Sequence, residues 1–201
     1  MAAVVFIEAI ARGWAGNAPV EPLLTLGAVR LLETALMIMV LMLWGKGLAS
    51  VGLARDQWKP GLKRGLIWSA GFGFLTFLGF VALFLLGINP FPLLKTPLPA
   101  NVYPCFLFFL VGGVIGPVTE EIFFRGLVYG FLRRWGVMTA VMISTLVFVL
   151  PHLSRNSVPV TQVVGGLLFA LGYEFGQSLM VPMLIHVLGN LALFTLSWIA
   201  P

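Results

Sequence analysis

The sequence predicts an all-α fold: a polytopic transmembrane helix bundle of about six to seven membrane segments, with an interfacial helix at the N-terminus. Three observations predict it. Hydrophobic residues fill 60% of the 201 positions and charged residues only 9%, where soluble domains carry about 25% charged residues. Mean hydropathy is +1.04. Apolar runs of near-spanning length recur along the chain and are separated by Gly and Pro. A globule this small could not hide so much apolar surface, so lipid is the expected solvent.

The elements follow from length and punctuation. A membrane helix needs about 20 mainly apolar residues. Segments 24–44, 65–88, 158–176 and 179–198 meet that length; shorter apolar stretches lie at 103–116, 120–135 and 138–152. Breaks are expected at Gly61, Asn89-Pro90 with Pro92, Gly116-Pro117, Gly136, Pro159 and Pro182. Residues 1–15 hold Glu8 and Arg12 in an apolar context and read as the interfacial helix, retained because no secretory cleavage site is evident. No polar linker divides the chain, so residues 1–201 are expected to form one membrane domain.

Charge separates the two sides. The net charge is +5, but the basic residues are dispersed among apolar segments. They read as topology markers and lipid-headgroup contacts, and a nucleic-acid partner is not expected. Lys46, Arg55, Lys59, Lys63 and Arg64 crowd the 45–64 connection, which the positive-inside tendency assigns to the cytoplasm. Strict alternation of seven segments would put a turn at 116–120 and the 153–157 loop on that side, with Lys95, Arg133 and Arg134 opposite. A continuous helix over 103–135 would reverse the later assignments. Cys105 is the lone cysteine and reads as a buried thiol.

Ionisable groups at membrane depth are costly unless paired, so they mark candidate functional sites. The stretch Thr119-Glu120-Glu121-Ile122-Phe123-Phe124-Arg125-Gly126 places two acids and an arginine in apolar sequence. On a helix Glu121 and Arg125 share a face and can pair. Glu120 points about 100° away and is expected to lack that partner, which suits a base in a dry site. The plainer reading is that both acids cap a helix start after Pro117. His152 ends the run Phe148-Val149-Leu150-Pro151, and His186 and Asn190 stand four apart in the last span. One such residue is ordinarily an interhelical hydrogen-bonding group. The chain's two histidines, however, both fall in the half that holds the paired acids. Arg30 and Glu33 share a face inside an apolar span and are expected to pair with each other. Glu174 is expected near an interface, as are most of the six tryptophans.

In order and spacing these residues resemble the CAAX prenyl endopeptidase and bacteriocin-processing family, also called CPBP or Abi. Its E-E-x-x-x-R, F-x-x-x-H and H-x-x-x-N signatures read here as Glu120-Glu121-Ile122-Phe123-Phe124-Arg125, Phe148 to His152, and His186 to Asn190. The resemblance covers about residues 103–198. It implies an intramembrane endopeptidase of the glutamate-dependent type, with that stretch as catalytic core. The implied roles are Glu120 with His152 as water activators, His186 and Asn190 as oxyanion donors, and Glu121 with Arg125 in support. No cofactor is then required. The alternative is a zinc-dependent metalloprotease in which Glu120, His152 and His186 are the ligands, although the sequence shows no carboxylate partner for either histidine. Further alternatives are a non-enzymatic membrane scaffold and a proton-coupled transporter, the latter disfavoured because no inverted repeat is visible. The implied partners are the bilayer and a protein or peptide substrate with a membrane-embedded or membrane-proximal segment. The expected location is a prokaryotic inner membrane, with the protein crossing it several times.

Overall fold

The computed structural model describes residues 20–43, 47–153 and 159–199. The expected N-terminal interfacial helix, Lys46, Trp14 and Trp44 lie outside the described residues. The main helices among the described residues are α1 (Val20–Leu43), α2 (Trp58–Leu85), α3 (Val102–Trp135), α4 (Val137–Val149), α5 (Val160–Gly176) and α6 (Met180–Ile199). The longest four are apolar enough to cross a membrane by length and composition; α4 and α5 are shorter apolar helices. Among the described residues there is no strand. The all-α membrane bundle is therefore observed.

One expectation is corrected. The chain does not turn at 116–120: the two stretches around Gly116-Pro117 are a single helical rod of 34 residues. Proline normally breaks a helix because it lacks an N–H and its ring collides with the carbonyl four residues back. Here the backbone widens into π-helix over Val111–Ile115, immediately before Pro117, and again over Ile122–Tyr129. The wider winding accommodates the proline without ending the rod. Gly113 adds a second reason: a Cβ there would lie 2.7 Å from Leu191 Cδ2, so its absence lets α6 approach α3 closely. In lipid such close packing is a main source of helix association.

Continuity of α3 reverses the later directions. Arg64 Nη1 donates to the Gly176 carbonyl (2.9 Å), Ser178 Oγ to the Gly52 carbonyl (2.7 Å), and Leu179 N to the Val51 carbonyl (3.0 Å). Arg133 pairs with Glu174 at 2.7 Å. These links gather the 47–64 connection, the α3–α4 hairpin and the α5–α6 turn at one end. Arg133 and Arg134 thus stand with Arg55, Lys59, Lys63 and Arg64, not across from them. At the other end Thr96 N donates to Ser197 Oγ (3.0 Å), and α4 runs out there at His152.

The bundle is inverted in the sense expected for lipid. Leu31, Leu32, Phe74, Leu75, Phe77 and Leu85 face outward, each more than half exposed, while Arg30, Glu120, Glu121, Arg125 and His186 are buried. Trp58, Trp135 and Trp198 sit at segment ends, exposed as headgroup-level aromatics are. Phe124, Phe148, Phe169 and Ile185 form the apolar layer beneath the buried charges.

Candidate active site

The buried charges meet where α1, α3 and α6 cross. Glu121 and Arg125 are both fully buried, and the expected i, i+4 pair is made: Arg125 Nη1 lies 3.1 Å from Glu121 Oε1. Arg125 also donates through Nη2 to the Gly166 carbonyl (3.0 Å) and stacks its guanidinium over Phe148 at 4.9 Å. One side chain thereby bolts α3 to α5. Gly166 also lets α5 touch α4, because a Cβ there would meet Thr145 Cγ2 at 2.8 Å.

His186 enters from α6 between the two acids. Its Nδ1 is 2.8 Å from Glu121 Oε1, and its Nε2 is 4.0 Å from Glu120 Oε2. The ring stacks on Phe169 (centroids 4.4 Å apart, planes 19°) and meets the Phe148 edge at 5.9 Å. A carboxylate at Nδ1 makes that nitrogen the proton donor and leaves the Nε2 lone pair free in the neutral ring. The absence of a carboxylate partner for His186, expected from sequence, is thus corrected. Glu121 was 65 residues away and invisible as a neighbour.

Glu120 takes its partner from another helix. Arg30 of α1, only 4% exposed, places Nη2 3.5 Å from Glu120 Oε1 while Nη1 donates to Glu33 at 3.0 Å. The Arg30–Glu33 pair expected from spacing is made, but the same guanidinium serves the site. Its backbone is pinned there as well. The buried Thr119 hydroxyl lies 2.8 Å from the Thr34 hydroxyl, 2.8 Å from the Ile115 carbonyl and 3.2 Å from the Arg30 carbonyl. The sequence signal for Arg30 was its position alone, an arginine in the middle of an apolar span.

His152 and Asn190 line the margin, both half-buried. His152 closes the 3₁₀ turn after α4, where its Nδ1 donates to the Phe148 carbonyl at 2.9 Å, again leaving Nε2 free. Phe148 packs against both imidazoles, its ring centroid 5.2 Å from that of His152. The structure brings Glu120, Glu121 and His186 together directly; His152 packs on the Phe148 ring that His186 also meets, and makes no contact with either acid among the described residues. Asn190 Nδ2 donates to the Gly112 carbonyl in the π segment of α3 (3.0 Å).

The metal alternative can be tested on this geometry. Each histidine has an oriented Nδ1 and a free Nε2, as a zinc ligand would. Among the described residues, however, no three His, Cys, Asp or Glu side chains gather closely enough to hold one ion.

Chemically the arrangement is a buried acid–imidazole–acid sequence with a guanidinium at each end. Residues 102–192 match the family model described as type II CAAX prenyl endopeptidase Rce1-like. The membrane-embedded CAAX protease MroQ of Staphylococcus aureus (strain USA300) is similar, 35% identical over 98 residues. That match takes in 45% of this chain and 38% of MroQ, so the chain spans well under half of that relative. No solved structure matches. The segment that supplies every signature side chain, residues 102–192, is thus similar to the CAAX prenyl endopeptidases, as its order of motifs led one to expect.

Proposed function

We propose that this chain is an intramembrane endopeptidase that hydrolyses a peptide bond in a membrane-associated protein or peptide. The observation that carries the reading is His186 held between Glu120 and Glu121 at a site shielded from lipid. Such groups are expensive at this depth and persist where they serve a reaction. The family match and the name of the relative support the same activity.

Glu120 takes a proton from a water as its oxygen attacks the scissile carbonyl. Glu120 Oε2 faces His186 Nε2 at 4.0 Å, within reach through one water or a small rotation. His186 receives the proton and becomes an imidazolium stabilised by Glu121. Its Nε2–H can then donate to the developing oxyanion and afterwards to the leaving amine. Asn190, which spends one amide hydrogen on Gly112, has a second to offer. His152 presents its free Nε2 at the margin to orient the attacking water. Glu121 and Arg125 fix the imidazole and the two helices. No metal is assigned a step. The basic end is cytoplasmic by the positive-inside tendency, in a prokaryotic inner membrane.

Comparison of new protein termini in the membranes of cells expressing wild type or Glu120→Gln tests this reading. Wild type should generate termini that the Gln variant does not, with both proteins present at equal levels. Identical sets of termini would overturn it.

A further inference from the structure

The family match begins at residue 102, yet the site takes a side chain from well before it. A guanidinium has five N–H donors. In Arg30, Nη1 is spent on Glu33, while Nε and Nη2 are buried without a hydrogen-bond partner among the described residues. Nη2 faces Glu120 Oε1 at 3.5 Å, an ion pair too long for a direct hydrogen bond here. A buried donor left unpaired is costly, and where one persists it calls for an explanation.

Arg30 has little freedom to turn elsewhere. Thr119 and Thr34 join α1 to α3 one turn from it, and Thr119 lies within hydrogen-bond distance of the Arg30 carbonyl itself. The other donors of the site are more committed. His186 Nδ1 goes to Glu121, and Asn190 gives one amide hydrogen to Gly112. The unspent, permanently charged donors beside Glu120 belong to Arg30.

We propose that Arg30 is a catalytic residue that donates to the substrate's carbonyl oxygen as it becomes an oxyanion. This rests on the peptidase reading of the same site. Water oxygen bonds to the carbonyl carbon, the C=O π pair moves onto oxygen beside Arg30, and the water proton goes to Glu120. On collapse the C–N bond breaks and the amine leaves with that proton, by way of His186. The products are a carboxyl and an amine, and nothing is oxidised or reduced. Preorganised donors at a developing oxyanion act on the rate more than on ground-state binding.

The test uses full-length protein in membranes and four forms: wild type, Glu120→Gln, Arg30→Gln and Arg30→Lys. Termini made by wild type and not by Glu120→Gln define the reaction. An internally quenched synthetic peptide spanning the most abundant of them then gives kcat and KM in proteoliposomes. Arg30→Gln should lower kcat by roughly 10²–10³-fold, with KM within about threefold. Arg30→Lys, which keeps the charge, should recover at least about tenfold of that loss. Melting midpoints of the three variants are measured alongside, so that a folding defect is seen as such. If Arg30→Gln turns over within threefold of wild type, or if its loss lies in KM with kcat intact, the assignment is wrong while the peptidase reading stands. A kcat loss that Arg30→Lys does not relieve also overturns it. If no terminus separates wild type from Glu120→Gln, the peptidase reading fails and this one with it.

Discussion

Two ionic clusters in this molecule solve the same problem in opposite ways. At the basic end, Glu174 accepts from Arg133 Nε and Nη2, with contacts of 2.7–3.2 Å, and from the Tyr129 hydroxyl at 2.7 Å. Both its oxygens are satisfied, and Arg133 is 45% exposed. In the buried cluster Arg30 Nε and Nη2, Glu121 Oε2 and Arg125 Nε have no hydrogen-bond partner among the described residues. The rim cluster is complete without a ligand and ties α3 to α5. The buried one is charged, rigid and short of partners. That difference separates a structural fastener from a site poised to receive something.

The largest stability effect expected is at the bolt of the buried cluster. Arg125→Met strands Glu121 in the core with only His186 beside it, and breaking a buried pair in this way typically costs about 3–5 kcal/mol. Denaturant unfolding of the purified protein in detergent should show a loss of that size; a loss under about 1 kcal/mol would mean that the cluster is wetter than its burial indicates. Gly52→Ala comes next. Gly52 has φ +74, and a Cβ there would lie 2.4 Å from the Ser178 backbone Cα, so the 47–57 strap would be pushed off the α5–α6 turn. The expected cost is about 1–3 kcal/mol, read by the same unfolding assay. Arg133→Ala at the rim should cost no more than about 1 kcal/mol, and salt should shrink the difference further. An Arg133 effect as large as that of Arg125 would erase the distinction between the two clusters.

Local features of this molecule were legible in the sequence, and long-range ones were not. The apolar segments, the Glu121–Arg125 pair and the Arg30–Glu33 pair follow from length and spacing alone. The continuity of α3 did not follow, because Gly116-Pro117 reads as a break unless the backbone widens into π-helix, and no composition rule announces that. Its cost was the side assigned to Arg133, Arg134 and His152. The Glu121–His186, Arg30–Glu120 and Arg133–Glu174 contacts join residues 65, 90 and 41 positions apart in chain order and depend on how helices pack. Arg30 left the clearest trace. An arginine at mid-span needs more stabilisation than one exposed partner supplies, and Glu33 is 37% exposed.

The most direct measurement sets the two glutamates against each other in one cleavage assay. Glu120→Gln and Glu174→Gln each remove one carboxylate charge, the first beside His186, the second at the basic rim. Loss of all detectable turnover in Glu120→Gln, with Glu174→Gln within a few-fold of wild type, is the predicted result. Turnover surviving in Glu120→Gln, or falling equally in both, would contradict the assignment of hydrolysis to the buried cluster.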